Sequence, residues 1–123
     1  MTQTNFPNGV TADIIGGIFQ PHTVVSATGA IAVPSVDTTF FVTKAGVAVL
    51  TMVDPTATTH DGLRVTFIST TAQAHTLDLV TAIDGGAADI GTWGGAISDG
   101  VTLIAYGGAW YELPGSNHNV TWA

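Results

Sequence analysis

The stretch VTLIAYGGAWYEL, residues 101–113, decides the fold class of this chain. Its two halves, residues 101–106 and 109–113, are rich in β-branched and aromatic side chains, and they flank Gly107-Gly108. A pair of glycines readily takes the positive φ angles of a type I′ turn, which joins neighbouring antiparallel strands. The stretch therefore predicts a β-hairpin.

The same strand character recurs from residue 22 onward. Further candidate strands are residues 22–27, 30–33, 38–43, 47–53, 63–71, 74–80 and 120–122. The links Thr28-Gly29 and Lys44-Ala45-Gly46 are typical of hairpin turns, and residues 63–71 and 74–80 are the next candidate pair. The one rival for a helix, residues 81–91, is rich in glycine. We therefore predict an all-β domain, a small barrel or sandwich of about nine short strands.

Residues 1–21 have neither a strand nor a helix period. Turn signals at Pro7-Asn8-Gly9 and Gly16-Gly17 interrupt them. We predict an irregular N-terminal arm, residues 1–21, followed by a single β domain, residues 22–123. The apolar residues of the arm need a surface to lie against, and we expect it to bind a partner through Phe6, Pro7, Val10, Ile14, Ile15 and Phe19.

The charge balance excludes several classes of partner. Two basic residues, Lys44 and Arg64, stand against nine acidic ones, for a net charge of −7. Nucleic acids and anionic membrane surfaces both attract clustered basic residues, so we expect neither as a partner. The first residues lack the basic and apolar regions of a secretory signal, so we expect synthesis in a cytoplasm.

No constellation of residues indicates catalysis. There is no cysteine and no Gly-x-Ser-x-Gly elbow, and the four histidines lack the spacing of a helical metal motif. The Gly-rich stretch 84–89 lacks the ligand spacing of an EF-hand. We therefore predict no enzymatic activity, no cofactor and no metal site. Trp93 lies between glycines and is a candidate sugar contact, with packing in the core or an interface as the alternative.

Several candidate strands are apolar on both faces. In residues 47–53, for example, Val47 and Val49 alternate with Ala48 and Leu50. Only 9% of the residues are charged, where ~25% is usual. Loops that cover a central strand account for this pattern, and so does a subunit interface. We expect the interface, because a domain without helices has few elements to cover a second face.

Three stretches resemble small β-structured virion proteins of tailed bacteriophages, of the head-decoration and fibre type: FVTKAGVA (41–48), DGLRVTF (61–67) and SDGVTLIAYGGAWY (98–111). The opening NFPNGVT (5–11) is similar to openings of phage structural proteins. The resemblance implies a capsid decoration (cement) protein made in the host cytoplasm. Such a protein would be a homotrimer on the capsid surface, bound to the major capsid protein. A receptor- or carbohydrate-binding module of a phage tail is the alternative.

Overall fold

The computed structural model describes residues 3–5, 11–13 and 20–123. The elements in these residues are β1 (Gln3–Asn5), β2 (Thr11–Asp13), β3 (His22–Val25), β4 (Gly29–Ile31), β5 (Thr38–Val42), β6 (Val49–Met52), β7 (Arg64–Ser69), β8 (Thr76–Leu79), a 3₁₀ turn (Ile83–Gly85), β9 (Ile90–Trp93), β10 (Gly100–Tyr106), β11 (Ala109–Glu112) and β12 (Val120–Trp122). Strands β1 and β2 pair with each other.

The ten strands from β3 to β12 form two five-stranded sheets. Sheet I has the order β11-β10-β7-β5-β3, and sheet II has the order β12-β9-β8-β6-β4. Both sheets mix parallel and antiparallel neighbours. The predicted all-β class is confirmed, and the architecture is a sandwich rather than a closed barrel.

The first six strands of the sandwich alternate between the two sheets. Strands β3, β5 and β7 lie parallel in sheet I, where Val24, Phe41 and Ile68 stand in register. Strands β4, β6 and β8 lie parallel in sheet II, where Leu50 and Leu77 stand in register. The chain therefore winds through three turns of a two-sided coil, and each turn adds one strand to each sheet.

This winding overturns three predicted pairings. The strands on either side of Thr28-Gly29, and those on either side of Lys44-Ala45-Gly46, lie in opposite sheets. Strands β7 and β8, the predicted pair within residues 63–71 and 74–80, are also in opposite sheets. Packed sheets lie roughly 10 Å apart, a distance that three extended residues span. Short links therefore fit a crossing between sheets as well as a hairpin.

After β8 the chain turns to antiparallel pairing. Strand β9 pairs with β8, and β10 pairs with β7. The predicted hairpin around Gly107-Gly108 is confirmed: β10 pairs with β11, and the two glycines have φ angles of 61° and 83°. Strand β12 pairs with β9 and is the edge strand of sheet II on the side opposite β4. No helix in the described ranges combines the length and the apolar character needed to cross a membrane.

The inner faces of the two sheets form one apolar core. Phe40 stacks on Phe67 with ring centroids 5.0 Å apart, and Phe67 meets Trp93 edge-on at 6.3 Å. The indole N–H of Trp110 donates to the carbonyl of Val53 at 3.1 Å, which satisfies the polar atom of a buried ring. Burial of a large apolar side chain contributes roughly 1.5–3 kcal/mol.

Candidate functional site

The outer face of sheet I carries apolar side chains among threonines and Arg64, which is paired with Ile104. Val24, Phe41 and Ile68 lie side by side on β3, β5 and β7. Ile104 and Tyr111 are paired on β10 and β11 and extend this face. Phe41, Ile68 and Ile104 are only half-buried within the single chain. The expectation that strands carry apolar residues on both sides therefore holds for part of this sheet, because Arg64 and Thr66 share the outer face of β7 with Ile68.

The outer face of sheet II is nearly uncharged. Val49 and Thr51 project from β6, and both are exposed. Thr76, Thr92 and Thr121 continue the row of Val49 across β8, β9 and β12. Asp78 is the one charged side chain on the five strands of sheet II. Threonine methyl groups and valines give this face an apolar character with scattered hydroxyl groups.

Among the described residues, strands β3 and β4 are the edge strands on one side of the sandwich, and we call residues 22–31 the open edge. A groove of about 550 Å³ runs between them. Its lining is formed by residues 23–32 together with Pro34, Thr38 and Phe40, and it contains no charged residue. Gly29 in this lining is exposed, and a Cβ atom placed on it would meet nothing within 4 Å.

At the opposite edges, β11 and β12, polar side chains form hydrogen bonds with outward-facing backbone groups. The carboxylate of Asp84 accepts a hydrogen bond from the backbone N–H of Glu112 on β11 at 2.8 Å. The amide of Asn117 accepts from the N–H of Val120 and donates to its carbonyl, both at 2.9 Å, on β12. These side chains occupy backbone groups that would otherwise attract another strand.

The loops beyond the strands carry carboxylates with structural partners. Asp54 accepts from the N–H and the hydroxyl of Thr81 at 3.1 and 2.7 Å. Asp61 accepts from the N–H of Gly107 at 2.8 Å. These acidic side chains hold loops in place, and none of them lines the groove of the open edge.

Two buried titratable residues, Asp99 and His75, were not singled out from the sequence. The carboxylate of Asp99 accepts from the N–H of Ala96 at 2.8 Å and from the amide of Asn119 at 3.2 Å, and His118 Nδ1 lies 3.6 Å from it. Asp99 follows a glycine-rich loop, and nothing in its sequence context distinguishes it from an exposed turn residue. It fixes the turn before β10 through these contacts.

His75 is the second buried polar group. Its Nδ1 accepts a hydrogen bond from the N–H of Ala48 at 3.0 Å. Its Nε2 lies 3.1 Å from the hydroxyl of Thr71, which in turn donates to the carbonyl of Lys44 at 2.9 Å. Nδ1 is therefore unprotonated and the imidazole is neutral. Burial lowers the pKa of His75, and the charge of Lys44 lowers it further.

The residues predicted to bind partners fall into two groups. Those of the arm lie outside the described residues: Phe6, Pro7, Val10, Ile14, Ile15 and Phe19.

Trp93 lies in the core with 1% of its surface exposed, and its indole N–H donates to the carbonyl of Asp99 at 2.9 Å. The sugar contact through Trp93 must therefore be corrected to core packing, because a stacked sugar needs a free ring face. The alternation of exposed and buried positions along β9 places Trp93 on the inner face.

Residues 3–5, 11–13 and 20–123 contain no group of three histidine or acidic side chains that could hold a metal ion. No protein family model matches the chain, and no curated protein or solved structure matches it at a significant level. The two apolar sheet faces and the open edge are therefore the candidate functional surfaces of this chain.

Proposed function

We propose that this protein is a capsid decoration (cement) protein of a tailed bacteriophage, which binds the outside of the head and stabilises the shell. One observation carries the proposal: within the described residues, a domain with a well-packed core leaves sparsely charged, partly apolar surface on both sheets and at one edge. Ten large apolar side chains of the described residues are exposed, among them Tyr106 with 67% of its surface. Protein surface of this kind is typical of protein–protein contact.

The proposed assembly is a homotrimer whose subunits meet through apolar sheet surface. A closed symmetric assembly covers the same patch on every subunit. Each valine that becomes fully buried in such a contact contributes roughly 1.5 kcal/mol. The low charge of the sheet faces supports this assembly, because copies with a net charge of −7 repel each other elsewhere.

The proposed partner on the virion is the major capsid protein. The arm, residues 1–21, would reach it through Phe6, Pro7, Val10, Ile14, Ile15 and Phe19. The chain would be made in the host cytoplasm and would then bind to the capsid surface. The acidic loops around Asp54 and Asp61 would face solvent.

Stabilisation follows from selective binding to the assembled shell. A ligand that binds only the assembled state stabilises it by about 2.7 kcal/mol per site at a hundredfold excess over Kd. The contributions of many sites accumulate over the lattice. The protein therefore needs no strong single contact to raise the rupture temperature of a head.

The test compares heads with and without the protein during heating. We expect undecorated heads to release DNA or rupture at a lower temperature than decorated heads, and added protein should restore the difference. Equal rupture temperatures would contradict the stabilising role. Localisation at the tail tip, together with binding on a glycan array, would favour the receptor- or carbohydrate-binding alternative.

A further inference from the structure

We infer that His75 is an acid-sensitive clasp: its protonation releases the link between β5 and β6, residues 44–48, while the two sheets stay folded. This link crosses from sheet I to sheet II. The clasp is a property of the chain alone, and it needs neither a partner nor the proposed function.

The imidazole of His75 holds the link at both of its ends. Its Nδ1 accepts a hydrogen bond from the backbone N–H of Ala48 at 3.0 Å. Its Nε2 lies 3.1 Å from the hydroxyl of Thr71, and this hydroxyl donates to the carbonyl of Lys44 at 2.9 Å. Because the hydroxyl hydrogen is used on Lys44, Nε2 carries the ring hydrogen and donates to Thr71. One neutral tautomer therefore satisfies every group in this chain of hydrogen bonds.

A second ring hydrogen breaks the hydrogen bond to Ala48. A protonated Nδ1 is a donor, and it would face the N–H of Ala48, which is also a donor. His75 and Ala48 both have 0% of their surface exposed, so water does not reach the unpaired N–H while the link stays in place. An unpaired buried N–H is costly, and a buried cation is more so. Movement of the link removes both costs, because it brings the ring and the N–H into water.

The groups next to the ring do not compensate a positive charge. Burial lowers the pKa of His75, and the positive charge of Lys44 on the link lowers it further. Residues 70–74, which precede the ring, carry no charge. From β9 the neutral Trp93 donates its backbone N–H to the carbonyl of His75 at 2.9 Å. The proton therefore favours the state in which the link has moved.

A carboxylate also lies at this end of the sandwich, that of Asp99. The carbonyl of Asp99 accepts from the indole N–H of Trp93 at 2.9 Å, and its carboxylate accepts from the N–H of Ala96 at 2.8 Å. In the part of the chain that the structure describes, His118 is the only histidine within 4.0 Å of a carboxylate. Asp99 therefore forms no ion pair with His75 that would stabilise the imidazolium.

Release of the link leaves the sheets in place. Strand β5 pairs with β3 and β7, and β6 pairs with β4 and β8; none of these four ladders uses residues 44–48. The carbonyl of Ala48 accepts from the N–H of Thr76 at 3.0 Å, which anchors the link where β6 begins. The movement is therefore confined to a few residues, and it costs less free energy than unfolding of the whole domain.

The test measures amide hydrogen exchange of the full chain by NMR at pH 7.5 and pH 5. Rates are expressed as protection factors, which correct for the pH dependence of chemical exchange. The protection factor of Ala48 should fall roughly tenfold or more at pH 5, with about thirtyfold as the limit when the folded state keeps the ring neutral. Low urea should change it little, because opening of a short link exposes little surface. Ala105, whose N–H donates to the carbonyl of Leu63 at 2.9 Å, is the strongly urea-dependent reference for global unfolding.

Two variants assign the pH dependence to one histidine. His75→Gln should remove most of the pH dependence of the Ala48 protection factor. His118→Gln should retain it, and it is the matched control because the side chain of His118 is 70% exposed at the same end of the sandwich. In the unaltered protein, an Ala48 protection factor that is equal at both pH values overturns the clasp. Equal urea dependence of Ala48 and Ala105 overturns it as well, since the link would then open only when the whole domain unfolds.

Discussion

Acidification should destabilise the fold through His75. The buried imidazole is neutral, because its Nδ1 accepts from the N–H of Ala48. Burial, and secondarily Lys44, lower its pKa below the ordinary value of 6.5. The unfolded chain therefore binds more protons than the folded chain once the pH falls below about 6.5. The free energy of unfolding consequently decreases as the pH falls through this region, and the contribution is fully present above it.

The magnitude follows from the proton linkage. Each pH unit below 6.5 costs about 1.4 kcal/mol for as long as the folded protein keeps the imidazole neutral, so the limit at pH 5 is about 2 kcal/mol. For a domain of this size that limit corresponds to a fall in Tm of roughly 8 °C. Tm is measured by circular dichroism between pH 7.5 and 5 for the unaltered protein, His75→Gln and the exposed-site control His22→Gln.

The comparison among the three proteins isolates His75 from the other titrating groups. His75→Gln should have a lower Tm at pH 7.5, because glutamine does not reproduce the hydrogen bonds of the imidazole with Ala48 and Thr71. Its Tm should depend less on pH. His22→Gln should keep the full dependence. An unaltered protein and a His75→Gln variant with parallel Tm curves would refute the reasoning, since the pH dependence would then come from elsewhere.

Four further predictions concern packing and assembly. Gly100→Ala should destabilise the fold by about 3 kcal/mol, because its Cβ would lie 2.0 Å from the carbonyl oxygen of Phe67; a normal urea midpoint would contradict this. Trp93→Ala should cost roughly 3–5 kcal/mol in a urea titration, far more than an exposed aromatic would. Deletion of residues 1–19 should leave Tm nearly unchanged and weaken head binding, whereas a large fall in Tm would assign the arm to the core. Light scattering at micromolar concentration should give the mass of a trimer, and a monomer mass would refute the assembly.

Local signals were predictable from the sequence, and long-range pairings were not. The hairpin at Gly107-Gly108 depends on the φ angles of two adjacent residues, so its prediction needed no knowledge of the rest of the fold. The length of the link at Thr28-Gly29 suits both a hairpin within one sheet and a crossing between the two sheets. The sequence analysis predicts the hairpin, and the structure shows the crossing. The choice between the two is made by the inward-facing residues of both sheets, which lie far apart in sequence.

The candidate surfaces show the same division. The apolar residues on both strand faces follow from alternation along the chain, and this prediction holds in part, since threonines, Arg64 and Asp78 share the outer faces. The open edge depends on which strands end each sheet, a property of the whole topology. The hydrogen bonds of Asp84 and Asn117 to the backbone of β11 and β12 could not be predicted either, because a polar residue in a loop resembles any other turn residue. Trp93 was ambiguous for a related reason, since flanking glycines suggest a loop although the residue lies on a strand.

The three-turn coil has a consequence for the size of the molecule. Each turn widens both sheets by one strand, or roughly 4.8 Å, while β9 to β12 complete the far side independently of the number of turns. An additional turn inserted before β3 would therefore widen each sheet by one strand and leave β9 to β12 unchanged. The number of turns of the coil sets the width of the sandwich. A chain with one more or one fewer turn could keep the same arrangement of β9 to β12.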